Sequence, residues 1–192
     1  MKSPYTIPNA LTGLRILLIP VIVGLFYLPY GWGDILAGLL FALAGITDTL
    51  DGYVARRTGT VSPLGEFLDP VADKLIVATA LVLIVTRNPV WYVTLTATVI
   101  IGREIAISAL REWMAEIGAR RRVAVSALGK VKTSAQITGL AMMLYYYDLF
   151  GLPIYRIGLS LTVVAAALTL WSMGIYLRAA WPELSGKTSP SA

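Results

Sequence analysis

The chain has 192 residues, of which 57% are hydrophobic and 14% are charged. An average soluble domain has about 45–50% apolar and about 25% charged residues, so the composition argues against a soluble globular protein. The same hydrophobicity excludes intrinsic disorder. The net charge of +5 is explained better by basic residues at the ends of membrane spans than by binding to nucleic acid, so we expect a membrane protein without a nucleic-acid partner.

Apolar runs separated by turn-forming residues predict six transmembrane helices in a single all-α integral membrane domain that covers residues 1–192. Six spans of about 20 residues leave only short loops and no room for a second, soluble domain. No small-residue cleavage site follows the apolar stretch from Ile16, so we expect this stretch to be the first span and not a secretory signal. In chain order, the predicted spans are residues 11–28, 35–54, 64–85, 90–113, 128–147 and 154–177.

Lysine and arginine are distributed unevenly between the two ends of these spans. Most of them lie at one end, which we call the basic side, whereas the opposite side has only Arg87 and Arg156. Cytoplasmic loops carry the excess of positive charge, so we expect the basic side and both termini to be cytoplasmic. The basic-side residues are Lys2, Arg56, Arg57, Arg120, Arg121, Arg122, Lys130, Lys132, Arg178 and Lys187.

Four aspartates lie within spans 2 and 3, near the basic side. Asp48 and Asp51 are three residues apart, and Asp69 and Asp73 are four apart, so each pair shares one face of a helix. A short loop joins the two spans, which we therefore expect to be antiparallel neighbours with converging carboxylates. Two divalent cations would neutralise four such charges, as in the two-metal sites that catalyse phosphoryl transfer.

The rest of the composition limits which metal could bind there. The sequence contains no histidine and no cysteine, which leaves oxygen atoms as ligands and favours Mg²⁺, Ca²⁺ or Mn²⁺. In the alternative interpretation, the four aspartates only form ion pairs with nearby bases such as Arg56, Arg57 and Lys74. Four acids at helical spacing within one short stretch favour the metal site.

Eight positions between residues 48 and 73 form a recurring pattern of acidic, small and basic residues. These positions are Asp48, Asp51, Gly52, Ala55, Arg56, Gly65, Asp69 and Asp73. Their identity and spacing resemble the signature of the CDP-alcohol phosphotransferase family. This resemblance implies a six-span helical enzyme that moves a phosphatidyl or similar phosphoryl group from a CDP-linked lipid to an alcohol and releases CMP.

Other segments resemble the bacterial members of this family that make phosphatidylglycerophosphate. They are residues 7–12 with Arg15, 69–75, 103–113 and 129–133, whereas span 6 carries no such motif. The resemblance implies CDP-diacylglycerol as the donor, glycerol 3-phosphate as the acceptor and two divalent cations, Mg²⁺ or Mn²⁺. It also implies a homodimer among lipids of the bacterial cytoplasmic (inner) membrane, with the active site facing the cytoplasm.

The resemblance further implies roles for individual residues. Asp48, Asp51 and Asp69 would bind the two metals, and Asp73 would complete the metal site and act as the general base on the acceptor hydroxyl. Small residues beside the acids would let the nucleotide approach the helix backbone, although small residues are also common where membrane helices pack. The residues expected to bind the CDP-lipid are Asn9, Thr12, Gly52, Ala55, Arg56 and Gly65.

The acceptor phosphate is a dianion near neutral pH and needs cations other than the metals. Arg103 and Arg111 are eight residues apart, on roughly one face of span 4, and Lys130 and Lys132 open span 5. We expect these four bases to bind the acceptor phosphate. Alternatively, Arg103 pairs only with Glu104, and the other three bases only follow the general excess of positive charge at cytoplasmic ends.

Two main alternatives to this transferase stay open. The nearest is the same transfer to another acceptor, such as serine, inositol phosphate or phosphatidylglycerol. The more remote one is a cation-coupled membrane transporter, which would place its acids near the bilayer midplane and often contain inverted repeats. The acids of this sequence cluster at one end and no repeat is visible, so we favour the transferase.

Overall fold

The computed structural model describes the backbone of residues 7–58, 63–118 and 127–185, and the side chains of residues 10–48, 65, 67–118 and 132–185. The regular structure of this part is helical, which confirms the predicted all-α class, and each predicted span overlaps one helix. The helices are α1 (Ile7–Phe26), α2 (Gly31–Thr58), α3 (Pro63–Arg87), α4 (Trp91–Glu116), α5 (Ala127–Tyr145) and α6 (Ile154–Leu184).

Two prolines lie inside helices at positions that matter for the predicted boundaries. Helix α6 continues through Pro182 to Leu184, seven residues beyond the predicted end of span 6. Pro70 follows Asp69 directly and lies inside α3, not in its first turn. Because proline has no backbone N–H, α3 lacks one of its regular hydrogen bonds beside Asp69.

Three helices in the described part are long and apolar enough to cross a membrane, through the segment Gly31–Asp48 of α2, the whole of α4 and the whole of α6. The apolar stretch of α1, Ala10–Phe26, is shorter. Helices α3 and α5 are not among these described apolar segments; the basic-side half of α3 carries Asp69, Asp73 and Lys74, and α5 carries Lys132.

The outer surface of the bundle is apolar. The side chains of Leu17, Ile105 and Trp171 are 67%, 65% and 75% exposed. On the opposite side, the rings of Tyr30 and Trp32 stack with their centroids 6.1 Å apart. Broad exposed apolar surface and aromatic rings near helix ends are typical of proteins that lie in a membrane.

Helix α5 is packed between α2 and α6 and also contacts α3. Glycines allow the close approach: a Cβ atom on Gly158 of α6 would lie 2.6 Å from the carbonyl oxygen of Gly139 in α5. A Cβ atom on Gly38 of α2 would lie 2.6 Å from the backbone nitrogen of Tyr145 in α5. Small residues at such contacts let membrane helices pack backbone against backbone, so they fix the position of α5.

In the described part of the chain, the backbones of α2 and α3 do not pack closely against each other as expected, and side chains join these two helices. Among the described residues, the main contacts of α2 are with α1 and α5, and those of α3 are with α1, α4 and α5. Helix α1 therefore packs against both helices that carry the aspartates. The short loop suggested direct neighbours, but the packing brings in a third helix, whose own side chains reach the aspartates.

A buried ion pair joins α2 and α3 on the opposite side. Arg87 Nη2 lies 2.6 Å from Asp34 Oδ1. The guanidinium of Arg87 also lies over two rings, 4.2 Å from the centroid of Phe26 and 5.1 Å from that of Tyr146. This cluster ties α1, α2 and α3 to the end of α5, far from the aspartates.

Candidate active site

A cavity of about 260 Å³ lies within the bundle, toward the basic side, and side chains from all six helices line it. Its charged lining includes aspartates from α2 and α3 with Arg15 of α1 and Lys74 of α3 beside them, and mostly basic residues from α4 and α5. The charged lining residues are Arg15, Asp48, Asp73, Lys74, Arg103, Glu104, Arg111 and Lys132. The cavity therefore brings together residues that the sequence assigned to two roles, the binding of metal and the binding of the acceptor phosphate.

Arg15 of α1 joins the two aspartates of the cavity. Its Nη1 atom lies 3.0 Å from Asp48 Oδ1 and 2.6 Å from Asp73 Oδ1. The Arg15 side chain is only 3% exposed, whereas those of Asp48 and Asp73 are 39% and 45% exposed. The two carboxylates are thus accessible from the cavity, whereas the Arg15 guanidinium that contacts them is buried in the protein.

The third described aspartate is also held from α1. The hydroxyl of Thr12, one turn before Arg15, donates a hydrogen bond to Asp69 Oδ1. One face of α1 therefore contacts three of the four aspartates. Lys74, one of the nearby bases named as possible partners of the aspartates, forms no described ion pair with Asp73; the ion-pair partner of Asp73 in the described part of the chain is Arg15 of α1.

The donor set fits a hard divalent cation. Two carboxylate oxygens, Asp48 Oδ1 and Asp73 Oδ1, approach the same cationic nitrogen of Arg15, so they already converge on one point of positive charge. Carboxylate oxygens are the ligands that Mg²⁺ and Mn²⁺ prefer. Among the described side chains, no three acids lie close enough together to form a metal site. The side chain of Asp51, one of the four predicted ligands, is not among the described ones.

Arg103, Arg111 and Lys132 form the basic wall of the cavity, and hydroxyl groups of α6 hold two of these residues in place. Arg103 Nη1 lies 3.0 Å from Glu104 Oε2, and Arg103 Nη2 donates a hydrogen bond of 3.3 Å to Thr169 Oγ1. Lys132, which is 8% exposed, donates a hydrogen bond of 2.6 Å to Ser172 Oγ. Arg103 Nε is buried and has no hydrogen-bond partner in the described part of the chain. Arg103 and Lys132 are thus held in position, and Arg103 keeps one buried N–H group without a partner among the described residues.

The other residues predicted for the CDP-lipid are only partly described. Thr12 and Gly65 are both buried, and neither lines the cavity. The remaining predicted site residues lie outside the described side chains. They are Asn9, Asp51, Gly52, Ala55, Arg56 and Lys130.

Sequence reasoning missed several residues of the cavity. Arg15 was noted only as part of a resembling segment, although a charge buried in an apolar span is itself a signal of function. Gln136 lies four residues after Lys132 and therefore on the same face of α5. Thr169 and Ser172 belong to α6, which carries no motif, and only the packing of α6 on α4 and α5 makes them relevant.

A second, apolar cavity of about 550 Å³ lies between α2 and α5. Gly45 and Ile137 line both cavities, so the apolar space adjoins the charged one. The lining of the apolar cavity reaches Leu149 and Ile154 near the opposite side. A molecule with a charged head and an apolar tail could place one part in each space.

Comparison with known proteins supports the assignment of family. The sequence profile of the CDP-alcohol phosphatidyltransferase family matches residues 5–173. The chain is 50% identical, over 180 residues, to proteins from Salmonella typhimurium (strain LT2), Shigella flexneri and Escherichia coli (strain K12). The alignments cover 94% of this chain and 97% of each relative, and each relative is named CDP-diacylglycerol–glycerol-3-phosphate 3-phosphatidyltransferase. The chain belongs to the CDP-alcohol phosphatidyltransferase family, which confirms the resemblance drawn from its sequence.

Proposed function

We propose that the protein transfers the phosphatidyl group of CDP-diacylglycerol to a hydroxyl of glycerol 3-phosphate, giving phosphatidylglycerophosphate and CMP. The family and the names of the relatives support this reaction. The observation that carries it is the single cavity in which Asp48 and Asp73 face Arg103, Arg111 and Lys132. Such a cavity can hold a diphosphate donor at the acids, through metal, and an anionic acceptor at the bases.

In the proposed reaction, an oxygen of glycerol 3-phosphate bonds to the phosphorus of the phosphatidyl group, and the bond from that phosphorus to CMP breaks. Asp73 accepts the proton of the attacking hydroxyl as general base. Divalent Mg²⁺ or Mn²⁺, bound by Asp48, Asp51, Asp69 and Asp73, would offset negative charge on the diphosphate and on CMP. Arg15 keeps Asp48 and Asp73 oriented toward the cavity.

The basic wall suits the acceptor phosphate. Embedding an arginine in a membrane helix costs at least about 2.5 kcal/mol, and a dianionic ligand gives Arg103 a function that offsets this cost. Arg103 is braced by Glu104 and Thr169 and still has a buried Nε without a partner. We assign the acceptor phosphate to Arg103, Arg111, Lys130 and Lys132.

The donor would bind across the two adjoining cavities. Its diphosphate belongs at the aspartates, with the nucleotide near Asn9, Thr12, Gly52, Ala55, Arg56 and Gly65. The apolar space beyond Gly45 and Ile137 is suited to an acyl chain, because its lining between α2 and α5 is mostly apolar.

We also propose that the whole chain, residues 1–192, forms one membrane domain of six spans with both termini and the active site in the cytoplasm. The bias of basic residues toward one side supports this orientation. The bacterial relatives support a location in the cytoplasmic (inner) membrane, where we expect a homodimer.

The choice of acceptor is the direct test of this function. Purified protein in detergent, supplied with CDP-diacylglycerol and Mg²⁺, should release CMP with glycerol 3-phosphate and not with glycerol or serine, since only a phosphorylated acceptor engages the basic wall. Inositol phosphate and phosphatidylglycerol complete the panel. Efficient CMP release with any acceptor other than glycerol 3-phosphate would contradict the assignment and leave only the family-level chemistry.

The same assay tests whether the basic wall binds the acceptor. Arg103→Ala should raise the KM for glycerol 3-phosphate by about 10- to 150-fold, the worth of a lost charge-assisted hydrogen bond, and should change the KM for CDP-diacylglycerol much less. Arg156→Ala, which removes an exposed arginine on the opposite side, is the matched control and should leave both values unchanged. Equal effects of Arg103→Ala on both substrates, reproduced by Glu104→Gln, would mean that Arg103 only braces the helices.

The proposed orientation can be tested because the chain has no native cysteine. In intact cells, cysteines introduced as Lys2→Cys or Lys187→Cys should not react with a membrane-impermeant maleimide, since both termini face the cytoplasm. Arg156→Cys, on the opposite side, is the positive control and should react. Labelling of either terminus from outside would refute the model with both ends inside.

A further inference from the structure

Gln136 is a buried polar side chain of the cavity for which the described part of the chain shows no hydrogen-bond partner. Gln136 is 5% exposed and lines the cavity together with Asp73 and Lys132. Within the described residues, its side-chain amide forms no hydrogen bond, whereas Lys132, one helical turn away, is bonded to Ser172. The amide atoms of Gln136 are not among the fully buried atoms that lack a partner, so they face the open space of the cavity, where a ligand would satisfy them.

The chemistry of an amide indicates which group of a ligand Gln136 would bind. Arg103, Arg111 and Lys132 supply the positive charge that an anionic phosphate needs. Gln136 is neutral, and its amide both donates and accepts hydrogen bonds. A neutral hydroxyl, which also donates and accepts, is the complementary group. Near Gln136 the lining includes the apolar residues Ile137, Phe41 and Ile107, and its other neutral polar side chains are the hydroxyls of Thr133 and Tyr176, so Gln136 supplies the only side-chain amide among the described lining residues.

We propose that Gln136 binds the acceptor hydroxyl that does not react, and thereby selects glycerol 3-phosphate over phosphorylated alcohols that lack it. This inference rests on the proposed function. Glycerol 3-phosphate has two hydroxyls, and the terminal one is the less hindered nucleophile, which leaves the middle one for recognition. The helical spacing of Lys132 and Gln136 places their side chains about 5–6 Å apart at Cβ, close enough to engage the phosphate and the middle hydroxyl of one small molecule.

The test uses an acceptor that lacks only the middle hydroxyl, 3-hydroxypropyl phosphate. The full-length wild type, assayed by CMP release from CDP-diacylglycerol, should have a kcat/KM at least about 10-fold higher for glycerol 3-phosphate than for this analogue, because a site built to bind a hydroxyl discriminates against its absence. Gln136→Met, which keeps the size and removes the hydrogen bonds, should lower kcat/KM for glycerol 3-phosphate by about 10-fold or more and change that for the analogue by less than about 3-fold.

One further variant of Gln136 and one control complete the test. Gln136→Glu retains a hydrogen-bond acceptor, so it should keep a preference for glycerol 3-phosphate even where its overall activity falls and even if the Met variant does not fold. Thr162→Val is the matched control, because Thr162 is a buried polar residue of α6 outside the cavity, and its described hydrogen bond goes to the carbonyl of Gly158 in its own helix. It should preserve the discrimination of the wild type.

The outcomes separate this inference from the function on which it rests. Equal use of the two acceptors by the wild type, or equal losses on both in Gln136→Met, would overturn the role of Gln136 and leave the proposed function intact. Absence of CMP release with both acceptors in the wild type would overturn the proposed function and this inference together.

Discussion

Asp73→Asn should lower kcat for CMP release by about 100-fold or more, the usual contribution of a general base, while CDP-diacylglycerol still binds. The amide cannot take the proton of the acceptor hydroxyl. The fold should persist, since Arg15 keeps its ion pair with Asp48 at 3.0 Å. Turnover is measured as CMP release, and donor binding is measured separately, by retention of CDP-diacylglycerol on the purified variant.

Asp148→Asn is the control for this substitution. It makes the same chemical change at an exposed aspartate on the opposite side, far from the cavity, and should leave kcat and donor binding unchanged. Near-normal turnover of Asp73→Asn across the pH range would contradict its role as the base. Loss of donor binding together with turnover would make Asp73 a metal ligand first, with no separate evidence for proton transfer.

Removing divalent metal should abolish activity. With an excess of EDTA, CMP release should fall to background, and addition of Mg²⁺ or Mn²⁺ beyond the chelator should restore it. The physical reason is charge: the aspartates and the donor diphosphate are all negative, and Arg15 supplies one positive charge against Asp48 and Asp73 together.

Two comparisons make this result specific. EDTA that has first been saturated with Mg²⁺ should have no effect, which separates chelation from damage by the reagent. Asp48→Asn and Asp51→Asn should each raise the Mg²⁺ concentration needed for half-maximal activity and weaken donor binding, whereas Asp148→Asn should do neither. Full activity of the wild type in chelator would exclude the metal-assisted mechanism.

The helices and the general place of the site could be predicted from the sequence. Apolar runs near 20 residues long are set by membrane thickness, so six of them predicted six helices. The helical spacing of Asp69 and Asp73 predicted one shared face. Both results rest on local regularities, since each depends only on residues close together in the sequence.

The side-chain partners could not be predicted in the same way. Asp73 is paired with Arg15, 58 positions away, because α1 packs against both α2 and α3. Ser172 bonds Lys132 across 40 positions. Serine and threonine in an apolar helix commonly bond the backbone of their own helix, as Ser172 also does with Thr169, so their sequence context does not reveal a role in a site.

The ion pair on the opposite side explains one apparent exception to the charge pattern. Arg87 is one of two basic residues there, and the sequence alone counts it as an exposed loop charge. In the structure it is largely buried against Asp34 and two aromatic rings. Its charge is neutralised within the protein, so it does not weaken the asymmetry on which the orientation rests.

The glycine contacts that position α5 do not involve the residue proposed to select the acceptor. Gly139 and Gly38 set how closely α5 approaches α6 and α2, through backbone contacts that do not involve Lys132 or Gln136. A substitution at Gln136 therefore leaves these backbone contacts in place. Such an arrangement would let the acceptor preference change by a single substitution on an unchanged bundle.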